Sequence, residues 1–412
     1  MEVLNNICLD IVDCEHKTAP IQNEGIPSIR TTDIKNGFLD FKGSNKVSEE
    51  TYQKWTQRLE PKAYDIILAR EAPVGQVGIL PKGQRVCLGQ RTVLIRPNKQ
   101  KVYPFYLLYL LLSREIQHKM KVRASGSTVE HLNMSDIRNL QLPDLPSLKI
   151  QKEIGDTLGN LDAKIENLRR QNETLEAIAQ TLFKHWFIDF EFPNADGKPY
   201  KSSGGAMIPS ELGEIPEGWR VGTLKECLEH LVDNRGKTPV FLTSGIPALS
   251  AKFVKKGEIV NKDNLNYISF DLFDKSEKLK IGDVIMTSEA PLGETYFIAQ
   301  NTQYYPAQRV FALRANDEII SPSYLNYWLT SSIGQSLVQR RASGSTVQGI
   351  KQSELYKCEI IIPDKEINNK ASKLFMTILL KKELNSDNIQ TLAKTRDALL
   401  PKLMSGQIRV KE

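Results

Sequence analysis

Between residues 154 and 186, apolar side chains recur at alternating four- and three-residue steps: Ile154, Leu158, Leu161, Ile165, Leu168, Leu175, Ala179, Leu182 and Trp186, with Asn172 as the polar member. No Gly or Pro falls between Gly159 and Trp186, and the remaining faces are almost wholly charged. The spacing predicts a long helix with a heptad seam: Ile154, Leu161, Leu168, Leu175 and Leu182 at d, the others at a, and Asn172 fixing register at some cost in stability. A second stretch, 366–404, is less regular. Phe375, Ile378, Ile389, Leu392, Leu399 and Leu403 keep the spacing, while Lys382, Asn385 and Arg396 interrupt it. A lone helix with one apolar stripe is unstable in water, so the two are expected to pair as a coiled coil.

Elsewhere the pattern changes to short β-branched runs punctuated by Pro and Gly, at 65–69, 77–80, 92–95, 283–286, 296–299 and 310–313. These predict strands. Each set leads into a helical pattern, 104–121 or 322–339, opened by Pro104 or Pro322 where a first-turn proline fits. The two sets are copies. Arg-Ala-Ser-Gly-Ser-Thr-Val stands at 123–129 and again, letter for letter, at 341–347, 218 positions on. At that offset Glu71-Ala72-Pro73 meets Glu289-Ala290-Pro291, and Gln90-Arg91 meets Gln308-Arg309. Upstream the offset is 220: Lys17-Thr18 meets Lys237-Thr238, so a two-residue length difference lies between 37 and 65, as in a surface loop. So long a period is a duplicated domain rather than a solenoid. Each copy reads as a compact α+β domain, and residues 193–218, dense in Gly, Pro and Ser, read as a linker without regular structure.

Composition narrows the class. The 412 residues are 40% hydrophobic and 25% charged, ordinary for a globular protein with a core. No apolar run is long enough to span a bilayer, and the N-terminus lacks a signal-peptide pattern. Five cysteines without a C-x-x-C pair fit a reduced, cytoplasmic protein. The net charge of +6 is too small to grip phosphate by bulk attraction, which leaves recognition by a few placed side chains.

Catalytic patterns fail one by one. Gly236-Lys237-Thr238 resembles the end of a phosphate loop, but its first glycine would be Leu231. His16, His118, His131, His185 and His230 form no metal-ligand spacing. Neither a dinucleotide fingerprint nor a Gly-x-Ser-x-Gly elbow is present, and no histidine shared by both copies could activate the serines of 123–129. The chemistry expected is recognition, with no catalytic residue, metal or cofactor.

The repeated Arg-Ala-Ser-Gly-Ser-Thr-Val, Glu-Ala-Pro-x-Gly and Gln-Arg segments resemble the target recognition domains of Type I restriction–modification specificity subunits. Leu-Phe-Lys-His-Trp-Phe-Ile-Asp-Phe at 182–190 is similar to that family's central spacer, Ile-Pro-Glu-Gly-Trp at 215–219 to the entry of its second domain, and 399–410 to its C-terminal ending. The resemblance implies an α+β fold with two duplicated globular domains and two long helices in an antiparallel coiled coil. The expected divisions are recognition domain 1 at 1–146, central spacer helix at 147–192, linker at 193–218, recognition domain 2 at 219–363 and C-terminal spacer helix at 364–412. It implies that each domain reads half of a split double-stranded DNA target, and that the coiled coil sets their spacing and docks two modification subunits. Restriction subunits join the complex. S-adenosylmethionine, ATP and Mg belong to those partners. The competing reading is a free-standing duplicated DNA-binding protein or protein-interaction scaffold.

Residues identical in both copies are expected to serve scaffold or phosphate: Lys17, Arg91, Arg123, Ser125, Ser127 and Thr128, with Lys237, Arg309, Arg341, Ser343, Ser345 and Thr346. Base readers should lie where the copies differ. That singles out Arg30, Thr32 and Lys252, and above all Arg70, which faces Ser288 and could pair bidentately with guanine. The coiled-coil interface expected is Ile154, Leu158, Leu161, Ile165, Leu168, Asn172, Leu175 and Leu182 with Ile389, Leu392, Leu399 and Leu403.

Overall fold

A computed structural model describes all residues except 1, 125–129, 235, 345 and 410–412. The chain forms two compact units, Met1–Asn167 with Asn388–Glu412, and Leu168–Asp387.

In the first unit, a four-stranded antiparallel sheet runs in the order Cys8–Asp13, Thr92–Pro97, Ile66–Ala69, Val77–Ile79. Its inner strands are apolar on both faces because both faces are covered. Ile66, Leu68, Val93 and Ile95 pack with Tyr106, Leu107 and Leu110 of the helix Pro104–Leu112. Ile67, Ala69 and Leu94 point the other way, onto Ile29 and Leu88. Those two belong to a small sheet of Asn45–Val47, Ile26–Ile29 and Cys87–Leu88, the last pair parallel. Glu2–Val3 pairs with Gln141–Leu142, so the domain's first and last strands meet shortly before the long helix Leu148–Phe183 begins.

The second unit repeats this plan with strands Leu228–Asp233, Val310–Ala315, Val284–Thr287 and Thr295–Phe297. Val284, Met286, Phe311 and Leu313 take one face; Ile285, Val310 and Ala312 take the other. The length difference between copies resolves into three changes. The 3-10 turn Lys262–Asn264 goes with one extra residue before Asn266–Ile268, the helix Phe270–Lys275 is one residue shorter than its counterpart Glu49–Trp55, and the connection from it to Val284 is two residues shorter than that from Trp55 to Ile66.

Each expected single helix after the strands is broken in two by a serine. Ser113 separates Pro104–Leu112 from Arg114–Arg123, and Ser331 separates Pro322–Thr330 from Ser332–Arg340. Both serines take extended backbone, and Ser331 accepts from the Gly334 N–H as an N-cap, which starts a new helix. The linker also departs from expectation: it contains a hairpin, Met207–Ser210 with Gly213–Pro216, in which Gly213 leaves the turn with φ +99°. Around it Trp219 stacks on Phe192 at 5.0 Å, and Phe192 stacks on Tyr200 at 4.6 Å.

The second long helix is Lys365–Met404. In the first unit Ile154 and Leu158 share a core with Leu403, with Leu399 half-buried against it. There Asp162 accepts from the Tyr109 hydroxyl and from Arg396, both at 2.6 Å. In the second unit Ala179, Phe183 and Phe187 pack with Phe375 and Leu379. Within each unit the helix segments run antiparallel: in the second, Asn172 meets Asn385 while Phe183 meets Phe375, and in the first, Asp162 meets Arg396 while Ile154 and Leu158 share a core with Leu403. Burial departs from the strict heptad. Ile154, Leu158, Ile165, Leu168 and Asn172 are buried, but Leu161, Leu175 and Leu182 are only partly so, as are Ile389 and Leu392. Asp162, Phe183 and Phe187 are buried instead. A helix at its natural 3.6-residue period drifts ~20° per heptad, which carries the buried stripe past the d positions. The three residues that interrupt the second seam are contacts within it. Lys382 pairs with Glu176, Asn385 with Asn172 and Arg396 with Asp162. Asp162, Asn172, Lys382 and Asn385 are buried, and each has a polar partner across the pair, in keeping with the rule that buried polar groups are hydrogen-bonded.

Candidate nucleic-acid interface

Each domain carries one polar face built from the segments that repeat. In the first, Arg91 has a left-handed backbone, φ +67°, and its Nε meets Glu71 at 3.0 Å while the guanidinium stays 55% exposed. In the second, Arg309 has φ +64°, lies 2.9 Å from Glu289 and is 58% exposed. Glu71 and Glu289 precede Ala72 and Ala290, which also take positive φ. Such backbone costs about 1–3 kcal/mol per residue and persists where the surroundings impose it. Its recurrence in both copies marks a shared device. The neighbouring Gln90 side-chain amide donates to the Thr18 hydroxyl at 3.1 Å, as Gln308 does to Thr238, which fixes the loops bearing the exposed Lys17 and Lys237.

Divergent segments abut this frame. The Thr31 hydroxyl donates to the Ala72 carbonyl at 3.2 Å, and the Gly89 N–H donates to the Ile29 carbonyl at 2.7 Å. Arg30 and Thr32 therefore stand beside Glu71 and Arg91. Thr32 is exposed, and Arg30 is braced by Asp33 at 3.1 Å. In the second domain the Ala307 N–H donates to the Leu249 carbonyl at 2.7 Å, which holds the segment leading to the exposed Lys252 against the segment leading to Arg309. The Lys252 ammonium lies 4.6 Å over the Phe253 ring.

Other expected residues lie elsewhere. Arg70, expected to read a base, is largely enclosed: only 13% of its side chain is exposed, it is ion-paired with Asp13, and its Nε donates to the Leu132 carbonyl at 3.0 Å. Arg341 pairs with Glu359 at 2.8 Å, and Arg123 donates to the Asn139 carbonyl at 3.0 Å, which ties both to the ends of their domains. Ser343 exchanges backbone bonds with Gly349, closing a turn around Gly344. Gly344 has φ +114°, and a Cβ there would lie 2.2 Å from the Val347 carbonyl, so glycine is a structural requirement at 344. Thr346 is exposed on that turn. Ser125, Ser127, Thr128 and Ser345 lie outside the described residues.

Burial raises the Cys8 and Cys227 thiols to about 12 and Cys358 to about 11, far from a reactive thiolate. Asp13, Cys14 and His16 bring three potential metal donors within 4.8 Å. Arg70 already takes Asp13, and burial raises Cys14, so the group is an ion-pair network. Among the described residues no helix is long and apolar enough to cross a membrane.

Sequence reasoning missed the Thr18–Gln90 tether, because its ends sit in segments related by different offsets. It also passed over Ile21, Val240 and Phe241, exposed apolar residues on the tethered loops. Their signal is an apolar position recurring in kind but not in identity.

The family model for the Type I restriction modification DNA specificity domain matches residues 10–177 and 216–394. The chain is 29% identical to the Type I restriction enzyme MjaIX specificity subunit of Methanocaldococcus jannaschii over 401 residues, 94% of this chain and 88% of that one. It is 25% identical to the HindI specificity subunit of Haemophilus influenzae over 374 residues, 77% of this chain and 80% of that one. Its fold is similar to the crystal structure of the Type I system S subunit from M. genitalium, with TM-score 0.63 at 15% identity, covering 98% of this chain and 95% of that one. The chain belongs to the family of Type I restriction–modification DNA specificity subunits, which are non-catalytic, and it supplies the DNA specificity of such a system.

Proposed function

We propose that the regions 1–146 and 219–363 each read one half of a bipartite double-stranded target through the polar faces described above. The spacer regions 147–192 and 364–412 set the distance between the halves and dock two modification subunits, with restriction subunits joining that complex. The observation that carries this reading is the recurrence of one strained Glu–Arg frame beside segments that differ, Arg30–Asp33 in one copy and Ser250–Phe253 in the other. Shared groups suit phosphate, which is the same everywhere, and divergent ones suit base edges. Methyl transfer and ATP-driven chemistry then belong to the partners.

Helix length gives the spacing argument. Leu148–Phe183 has 36 residues, about 54 Å at 1.5 Å per residue, against about 34 Å for a turn of DNA. Methylome sequencing of cells expressing this chain with its modification subunit should show a motif with two defined halves. Removing a matched heptad from both long helices should shorten the gap and leave both halves unchanged. A motif whose gap does not move refutes the spacing role, and a motif without two halves refutes the reading.

A further inference from the structure

The loop following the first sheet strand of each domain is anchored at both sides and apolar at its tip. In the second domain Asn234 donates from Nδ2 to the Pro306 carbonyl at 2.8 Å, and the Lys237 N–H donates to the Asn234 carbonyl at 3.1 Å. Thr238 accepts from Gln308, and the Leu242 N–H donates to the Tyr267 carbonyl at 2.8 Å. Between these anchors Val240 is 80% and Phe241 39% exposed. In the first domain the Gln90–Thr18 bond and the Gln22 N–H, donating to the Lys46 carbonyl at 2.9 Å, hold the same loop, with Ile21 65% exposed. At the 220-residue offset Phe241 stands where Ile21 does, and Val240 where Pro20 does.

A scattered apolar residue on a surface needs no explanation. Here hydrogen bonds flank the tip on both sides, the apolar tip recurs in both copies, and the Thr–Gln anchor repeats while the tip's side chains change. It sits beside Lys17 or Lys237 and is tied to the residue preceding Arg91 or Arg309.

We infer that Ile21 in the first domain, and Phe241 with Val240 in the second, contact thymine methyl groups in the major groove of the bound half-sites. The inference rests on the DNA-reading function proposed above. Base edges in the major groove offer donors, acceptors and one apolar group, the thymine C5-methyl. An apolar side chain held out beside cationic groups is complementary to that methyl between its phosphates.

The test uses the full chain in complex with its modification subunits, and target duplexes in which each thymine is replaced in turn by deoxyuridine, which removes only the methyl. In the second half-site one replacement should weaken binding of the wild-type complex about fourfold, the effect of one buried methyl group. Phe241→Ala and Val240→Ser should bind thymine and uracil duplexes alike, with binding to unrelated DNA and its salt dependence unchanged. Ile21→Ala should do the same in the first half-site. A loss of equal size on target and unrelated duplexes overturns the inference by making the tip a backbone contact. Variants that still discriminate uracil as wild type does overturn it, as does a half-site where no replacement matters. Failure of the variants to assemble with the modification subunits assigns the tip to that partner and overturns it too. If the wild-type complex prefers no bipartite duplex, the proposed DNA-reading function itself fails, and the inference with it.

Discussion

Asn385 donates from Nδ2 to the Oδ1 of Asn172 at 2.9 Å, deep in the helix pair of the second unit. Asn172 in turn donates to the Lys382 carbonyl at 3.1 Å and to Ser386 at 3.2 Å. The Oδ1 of Asn385 is buried without a hydrogen-bond partner. Replacing either asparagine alone by leucine strands the other buried amide and should destabilise the unit by about 1–3 kcal/mol. Replacing both should recover most of that loss, since neither amide then remains to be satisfied. Denaturant midpoints of the two single variants and the double variant check this. A double variant as unstable as the sum of the singles would contradict it.

Glu383 of the second long helix accepts from the Tyr296 hydroxyl at 2.8 Å. Burial pushes its carboxyl above the usual carboxylate range, opposed by the Tyr296 bond and the nearby Lys262 charge. In the window between the unfolded value and this raised one, the folded protein holds more protons than the unfolded chain. Stability from this group therefore falls as pH rises through the window, and the penalty persists at neutral pH. Glu383→Gln, which can still accept from Tyr296, should raise the unfolding midpoint at pH 7–8, with the gain fading toward pH 4. A gain that grows as pH falls would reverse the assignment.

The helix pair was legible because apolar spacing reports on a buried stripe directly. Its polar members were not. Lys382, Asn385 and Arg396 look like interruptions until Glu176, Asn172 and Asp162 are placed opposite them, and those partners lie more than 200 residues away. The same reason hid the state of Arg70. In the sequence it is an arginine facing a serine across the duplication; in the fold it is ion-paired with Asp13, from another strand. The Glu–Arg frame was legible through duplication itself, which flags shared positions without stating what they touch.

Arg70→Ala should therefore leave the DNA motif unchanged and weaken the first domain. It removes the partner of the half-buried Asp13 and the donor to Leu132, a loss of about 1–3 kcal/mol. Thermal or denaturant unfolding gives the stability change, and methylome sequencing gives the motif. A relaxed position in one half-site, with stability intact, would return Arg70 to base reading.

Arg91 and Arg309 should behave differently from Arg30, Thr32 and Lys252. The first two are the same residue on the same strained backbone beside the same glutamate, so a sequence-independent contact is expected of them. Alanine at either should weaken binding by a similar factor on target and unrelated duplexes, and reduce the slope of log affinity against log salt by about 1. Arg30, Thr32 and Lys252 occupy the divergent segments, so alanine there should widen base choice in one half-site, first for Arg30 and Thr32, second for Lys252. A good base contact discriminates by about 1–3 kcal/mol, roughly five- to 150-fold between the right and wrong base pair. Binding titrations over salt on duplexes carrying single base changes separate the two outcomes. Loss of discrimination at Arg91, or uniform loss at Arg30, would show that sameness between the copies does not divide backbone grip from base reading in this protein.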